Sequence, residues 1–355
     1  MTTKNLAVLG VAAVVLGGAA YMCSSGRKIK SASVNGKPVV EKFDVADVAR
    51  LEIGGAKALT LAATDKGWAV ESLFGYPADV TKIRENLLKL ADLKVGQVAP
   101  GIKIASPVSV TVKDAKGKPL ATAILGDQHR AKPKGEAAMY GGGYPDGRYV
   151  KFGEKVVLVK DALEAYDGDF KKWIDARICA VPSADVKAVT YAKGKEKVEL
   201  TRKDSAWTLA GLGAKEELDS SKTYSLDSAL SYLDMTGVAD PKLTEAELGF
   251  TTGSVYTVQL KDGKSYIATV GNAKGGDRYF KVAASFKAVG TNATENATIE
   301  KAVKEFNDKT GKWVYTISSY GVDSMSKTRK DLVKDKPEPK KEESKPADKA
   351  KDEKK

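Results

Sequence analysis

Ala46-Asp47-Val48 opens a stretch of chain whose parts return, in the same order, from Ala184-Asp185-Val186 onward. Trp68 is answered by Trp207. The apolar triplet Ile83, Leu87 and Leu90 is answered by Leu226, Leu230 and Leu233, each 143 positions on. Gly126 ends a strand-like run and is matched by Gly271. Arg148-Tyr149-Val150-Lys151 is matched by Arg278-Tyr279-Phe280-Lys281. A period near 140 is too long for a solenoid unit, so the pattern reads as the doubling of a whole domain.

Outward from these anchors, the first copy alternates apolar and polar residues at Val48, Leu51 and Ile53, at Leu59 and Leu61, and around Trp68-Ala69-Val70, the pattern of half-buried strands. Asp79 is placed to cap a helix, with Val80, Ile83, Leu87, Leu90 and Ala91 on one face. Val108, Val110 and Val112, the turn Asp114–Gly117 and the run Leu120–Leu125 predict a hairpin. Strands are expected at Arg148–Phe152 and Val156–Val159. The second copy predicts strands at Val186–Tyr191, Val198–Thr201 and Trp207–Leu209. A helix capped by Asp219 or Ser220 should come next, and then a Val255–Val270 hairpin turning at Asp262-Gly263. Runs of strands framing single helices give an α+β fold, mostly antiparallel, with one amphipathic helix in each copy. Trp68 and Trp207, at matching strand sites, read as core anchors.

The chain has 355 residues and a formal net charge of +12. Its expected division is an apolar N-terminal segment (1–26), a linker (27–43), the first domain (44–160), a helical connector (161–181) and the second domain (182–290). A C-terminal helix and strand (291–325) and a disordered Lys/Glu/Pro tail (326–355) complete it. Leu6–Cys23 is about 18 apolar or small residues, spanning roughly 27 Å as a helix, enough for a bilayer core. It reads as a retained transmembrane signal-anchor, with a cleaved signal as the alternative. The expected setting is an inner-membrane anchor with the body in the periplasm. The basic excess lacks the interleaved aromatics of a nucleic-acid surface, so no nucleic-acid partner is expected.

Ordered as they are, these parts resemble the bacterial family known as domain of unknown function 4340. The likeness is carried by Ala46-Asp47-Val48, Trp68, the 79–93 helix, Pro107, Gly126 and Tyr149-Val150-Lys151, with Leu248-Gly249-Phe250 in the second copy. The resemblance implies a membrane-anchored protein associated with gliding-type ABC transport systems. It brings no catalytic residues.

The chemistry-bearing residues are sparse. His129, the single histidine, falls on a variable loop between Gln128 and Gly147 and reads as solvated. Cys23 and Cys179 have no histidine at metal-ligand spacing. The glycine runs lack the Lys-Ser/Thr of a phosphate loop. The expectation is therefore a non-catalytic accessory or interaction module, with no catalytic, cofactor-binding or metal-binding residues and no cofactor. Its partners would be the membrane and ABC transporter subunits or other envelope proteins. The alternative is a cell-surface polymer hydrolase or a glycan-binding protein.

Overall fold

The computed structural model describes residues 34–131, 143–223 and 225–336. Two units divide between Asp175 and Ala176. The apolar segment Leu6–Cys23 lies outside the described residues. Among the described residues no helix is long and apolar enough to cross a membrane. The architecture is sheet-rich, antiparallel and sparing in helices, an α+β arrangement.

Unit one carries strands β1 (Arg50–Ile53), β2 (Leu59–Thr64), β3 (Gly67–Val70), β4 (Tyr76–Pro77), β5 (Gln97–Val98), β6 (Val108–Lys113), β7 (Pro119–Arg130), β8 (Pro145–Phe152) and β9 (Lys155–Val159). They form one sheet in the order β4-β3-β2-β1-β6-β7-β8-β9-β5. Alternation turns Leu51, Leu61, Val112, Leu125, Val150 and Val157 fully inward, as period-2 patterning requires. The β6–β7 turn is closed by Asp114, whose Oδ1 accepts from the amides of Lys116 and Lys118 at 2.8 Å each.

Helix α1 (Val80–Ala91) comes after β4. Asp79 caps it by accepting from Thr81 N at 2.9 Å and Lys82 N at 3.2 Å, satisfying amides that have no intrahelical partner. Ile83, Leu87 and Leu90 are buried, whereas Val80 is 55% exposed. The connector that was expected to be helical forms two 3₁₀ turns, Glu164–Asp167 and Phe170–Lys172. Gly168, at φ 77°, and the capping Asp169 break the run. These turns belong to the core of unit one. Tyr166 and Trp173 are fully buried and meet edge to face at 5.4 Å. Tyr166 donates to Asn86 O at 2.8 Å, and Lys82 Nζ donates to Ile174 O at 2.5 Å, so the connector grips α1.

Unit two contains β10 (Arg177–Cys179), β11 (Val186–Lys193), β12 (Glu196–Lys203), β13 (Ala206–Leu209), β14 (Glu216–Leu218), β15 (Leu233–Asp234), β16 (Gly237–Val238), β17 (Ser254–Leu260), β18 (Lys264–Lys274), β19 (Asp277–Phe286), β20 (Tyr315–Ser318) and β21 (Val333–Asp335). Its main sheet has the order β13-β12-β11-β17-β18-β19-β20-β16, and β10–β15 and β14–β21 form two-stranded ribbons. A short helix, α2 (Glu245–Leu248), has a capping box between Thr244 and Glu247. A longer one, α3 (Ala293–Thr310), docks on β19 through Asn307, which bonds both the amide and the carbonyl of Ala284 at 2.8 Å.

The expected amphipathic helix of the second copy is not an α-helix. Leu226 and Leu230 are buried as predicted, but they sit on successive turns with bonds such as Ser231 N to Ser228 O at 3.0 Å. The neighbouring positions include Ser225, Asp227 and Ser228, short polar residues that compete for backbone groups. Ser228 Oγ indeed bonds Ser225 O.

The expected disorder from Ser326 is corrected as far as Lys336. Thr328 and Asp331 form a capping box, Leu332 is fully buried, and β21 pairs with β14. Leu332-Val333 is the one apolar pair in that polar stretch, and it suffices to bring the strand down. The rest of the tail lies outside the described residues.

Candidate ligand cleft of unit one

Trp68 and Trp207 are each partly buried, neither fully inside the core nor fully exposed. The tryptophan that fills a core is Trp173, whose Nε1 donates to Ala165 O at 2.9 Å. β13 ends its sheet, whereas β3 is flanked by the two-residue β4, which pairs with Ala69 and Val70 and stops short of Trp68.

In unit one the space beside Trp68 is open. A cleft of about 790 Å³ is walled by Trp68, by α1 and by the segment 42–48, a size typical of small-ligand sites. The wall at 42–48 is fixed locally: Asp44 Oδ1 accepts from Ala46 N at 2.9 Å and starts a 3₁₀ turn, Val45–Asp47. α1 contributes Val80, Arg84 and Leu88, spaced i, i+4, i+8 along one stripe. Val80 is 55% and Leu88 43% exposed. Arg84 is exposed and has no ion-pair partner among the described residues.

In unit two an arginine stands across the strand from the tryptophan. The register of β2 and β3 sets Ala63 opposite Trp68, and that of β12 and β13 sets Arg202 opposite Trp207. The Arg202 guanidinium lies 5.8 Å from the centroid of the Trp207 ring, within cation–π range. It donates to Asp227 at 2.8 Å and to Ser183 O at 3.3 Å. Asp227 stands 143 positions after Arg84. Where unit two has a cation over the ring and an acid to hold it, unit one has a methyl group and a free guanidinium.

The remaining sequence candidates fall elsewhere. His129 is on β7, not on a loop, because that strand runs past Gly126 to Arg130. Its Nδ1 meets Asp146 at 2.5 Å, and its ring meets Tyr149 edge to face at 5.9 Å. Much of the adjoining variable segment, 132–142, lies outside the described residues. Burial pushes the Cys179 thiol up to about 12, so at neutral pH it is an inert thiol. Among the described residues no cluster of three or more His, Cys, Asp or Glu is arranged to hold a metal ion.

The motif residues of the sequence do meet. Arg148 is buried and its Nε donates to Gly126 O at 2.9 Å; Arg278 Nε donates to Gly271 O, also at 2.9 Å. A Cβ at Gly126 would sit 2.8 Å from Ile104, and one at Gly271 would sit 2.1 Å from Leu248 O, so both sites exclude a side chain. The model of a domain of unknown function, DUF4340, matches residues 68–253, beginning at Trp68 itself. The chain belongs to the DUF4340 family. No curated protein and no solved structure matches it.

Sequence reasoning missed the cleft because it read the two tryptophans as equivalent. The available signal was the residue across the strand, Ala63 against Arg202, together with the reversal of charge from Arg84 to Asp227.

Proposed function

We propose that this DUF4340 protein is a non-catalytic binding module of the bacterial envelope. It would be made by doubling one domain, with one copy kept as a receptor and the other closed on itself. The observation that carries this is the contrast between the open Trp68 cleft and the Arg202–Trp207–Asp227 arrangement at matching positions. Exposed apolar side chains beside a partly exposed indole mark a surface built to be covered.

Doubling is supported by topology. Read from β3 to β5, unit one's order β3-β2-β1-β6-β7-β8-β9-β5 has the same sequence of steps as β13-β12-β11-β17-β18-β19-β20-β16 in unit two. The twin arginine-to-glycine bonds support it further. Tethering rests on the apolar Leu6–Cys23 segment, and a place beside an ABC transport system rests on the family resemblance.

The test is site-specific photo-crosslinking in the producing cell. A photoreactive residue at Val80 should yield an adduct with an envelope protein, and Trp68→Ala should abolish it. The same residue at Thr223, the counterpart of Val80, should yield none. No adduct at Val80, or equal adducts at both positions, would refute the proposal.

A further inference from the structure

We propose that the occupant of the unit-one cleft is an acidic peptide segment of a partner protein. It would lay an apolar or aromatic side chain on Trp68 and bring a carboxylate to Arg84. This inference rests on the reading of the cleft as a binding site, and it names what binds there.

Unit two supplies the template. There the Arg202 guanidinium lies 5.8 Å from the ring centroid and also pairs with Asp227 on the neighbouring segment. In unit one that neighbouring charge is inverted to Arg84, and the residue opposite the ring is Ala63. Whatever covers Trp68 therefore meets a guanidinium. A carboxylate pairs with it in a directed, bidentate way, and a basic group is repelled.

The other charged residues of the cleft are Lys42, Asp44 and Asp92, so Arg84 sets the preference locally and not through the net charge of the lining. Lys42 adds a second cation. Asp44 keeps its negative charge while its Oδ1 accepts from Ala46 N. Asp92, the residue that ends α1, stands two turns beyond Arg84, ~12 Å along the axis at 1.5 Å per residue.

The apolar part of the wall suits the side chains of a peptide. Val80, Leu88, Val45 and Ala46 offer no side-chain donors or acceptors for sugar hydroxyls. The stripe from Val80 to Leu88 is also ~12 Å long, which accommodates three or four extended residues at roughly 3.3 Å each. Apolar anchors beside one fixed ionic contact are the pattern of peptide grooves.

The experiment presents a displayed library of random peptides, and in parallel a panel of acidic glycans, to the immobilised full-length chain. Wild type should enrich peptides carrying Asp or Glu beside an aromatic or aliphatic residue. The enriched pool should bind Trp68→Ala about tenfold or more weakly. Selection on Arg84→Glu should enrich Lys and Arg in place of the acids, an inversion that mere loss of stability does not produce. Circular dichroism verifies that each variant is folded. Enrichment without acidic bias, an unchanged consensus on Arg84→Glu, or capture of glycans alone overturns the ligand class. If Trp68→Ala still weakens what is captured in those cases, the cleft itself stands as the site. Peptides that bind wild type and Trp68→Ala equally overturn both.

Discussion

Replacing Arg148 with methionine keeps an unbranched apolar stem but removes every donor of a side chain that is 2% exposed. Its Nε serves Gly126 O at 2.9 Å, its Nη1 serves Leu163 O at 3.0 Å, and its Nη2 meets Asp167 at 2.6 Å. Asp167 is 40% exposed and is rehydrated once its partner goes. The two carbonyls are buried and are not. At about 1–3 kcal/mol for each buried acceptor left unmet, the cost comes to about 2–6 kcal/mol. Arg278 is half-exposed and its Nε serves one carbonyl, Gly271 O, so Arg278→Met should cost about 1 kcal/mol. Hydrogen exchange read by mass spectrometry separates the two cases, because β7–β8 peptides report on unit one and β18–β19 peptides on unit two. Arg148→Met should speed exchange of the slowest unit-one amides by about thirtyfold to ten-thousandfold, at about 1.4 kcal/mol per decade. Unit-two amides should barely move. Equal and small effects of the two substitutions would refute the view that Arg148 is a buried latch.

Gly271→Ala places a methyl group 2.1 Å from Leu248 O, so it should destabilise by about 2 kcal/mol or more in urea unfolding; Gly276→Ala, with open space around it, should not. Arg202→Ala uncovers Trp207, so acrylamide quenching of indole fluorescence should rise. Stability should fall by only about 1 kcal/mol, since Arg202 and Asp227 are partly solvated. The C-terminal strap should loosen in acid. The Glu216 carboxyl is held below its usual range by the Gly213 amide and by Arg329, and that of Asp331 by the amide and hydroxyl of Thr328. Groups depressed in this way stabilise the fold above their unfolded pKa, and the contribution is lost as pH falls through the folded one. Proteolysis after Lys327 should therefore accelerate below about pH 4 and stay flat between neutrality and mild acid.

Much of the sheet was legible because its residues alternate cleanly and its turns carry Asp and Gly where reversal demands them. The β6–β7 and β17–β18 hairpins and the Asp79 cap stem directly from such local chemistry. Where local chemistry was weak, tertiary context decided. The Leu226, Leu230 and Leu233 triplet has helical spacing, yet its serines and Asp227 yield turns that still bury two of those leucines completely. The connector's Tyr166 and Trp173 gave no periodic signal and proved central to unit one. The cleft was the least legible feature. A tryptophan at a strand site looks the same in sequence whether a neighbour covers it or not, and the neighbour lies across the sheet.

The central claim is that unit one is open because it lacks the cover that unit two carries. The direct measurement is the yield of the Val80 photo-adduct in a chain bearing A63R and R84D, which transplants that cover onto Trp68. The account predicts that the adduct disappears while circular dichroism and thermal midpoint stay near wild type. An undiminished adduct in the folded double variant would contradict it.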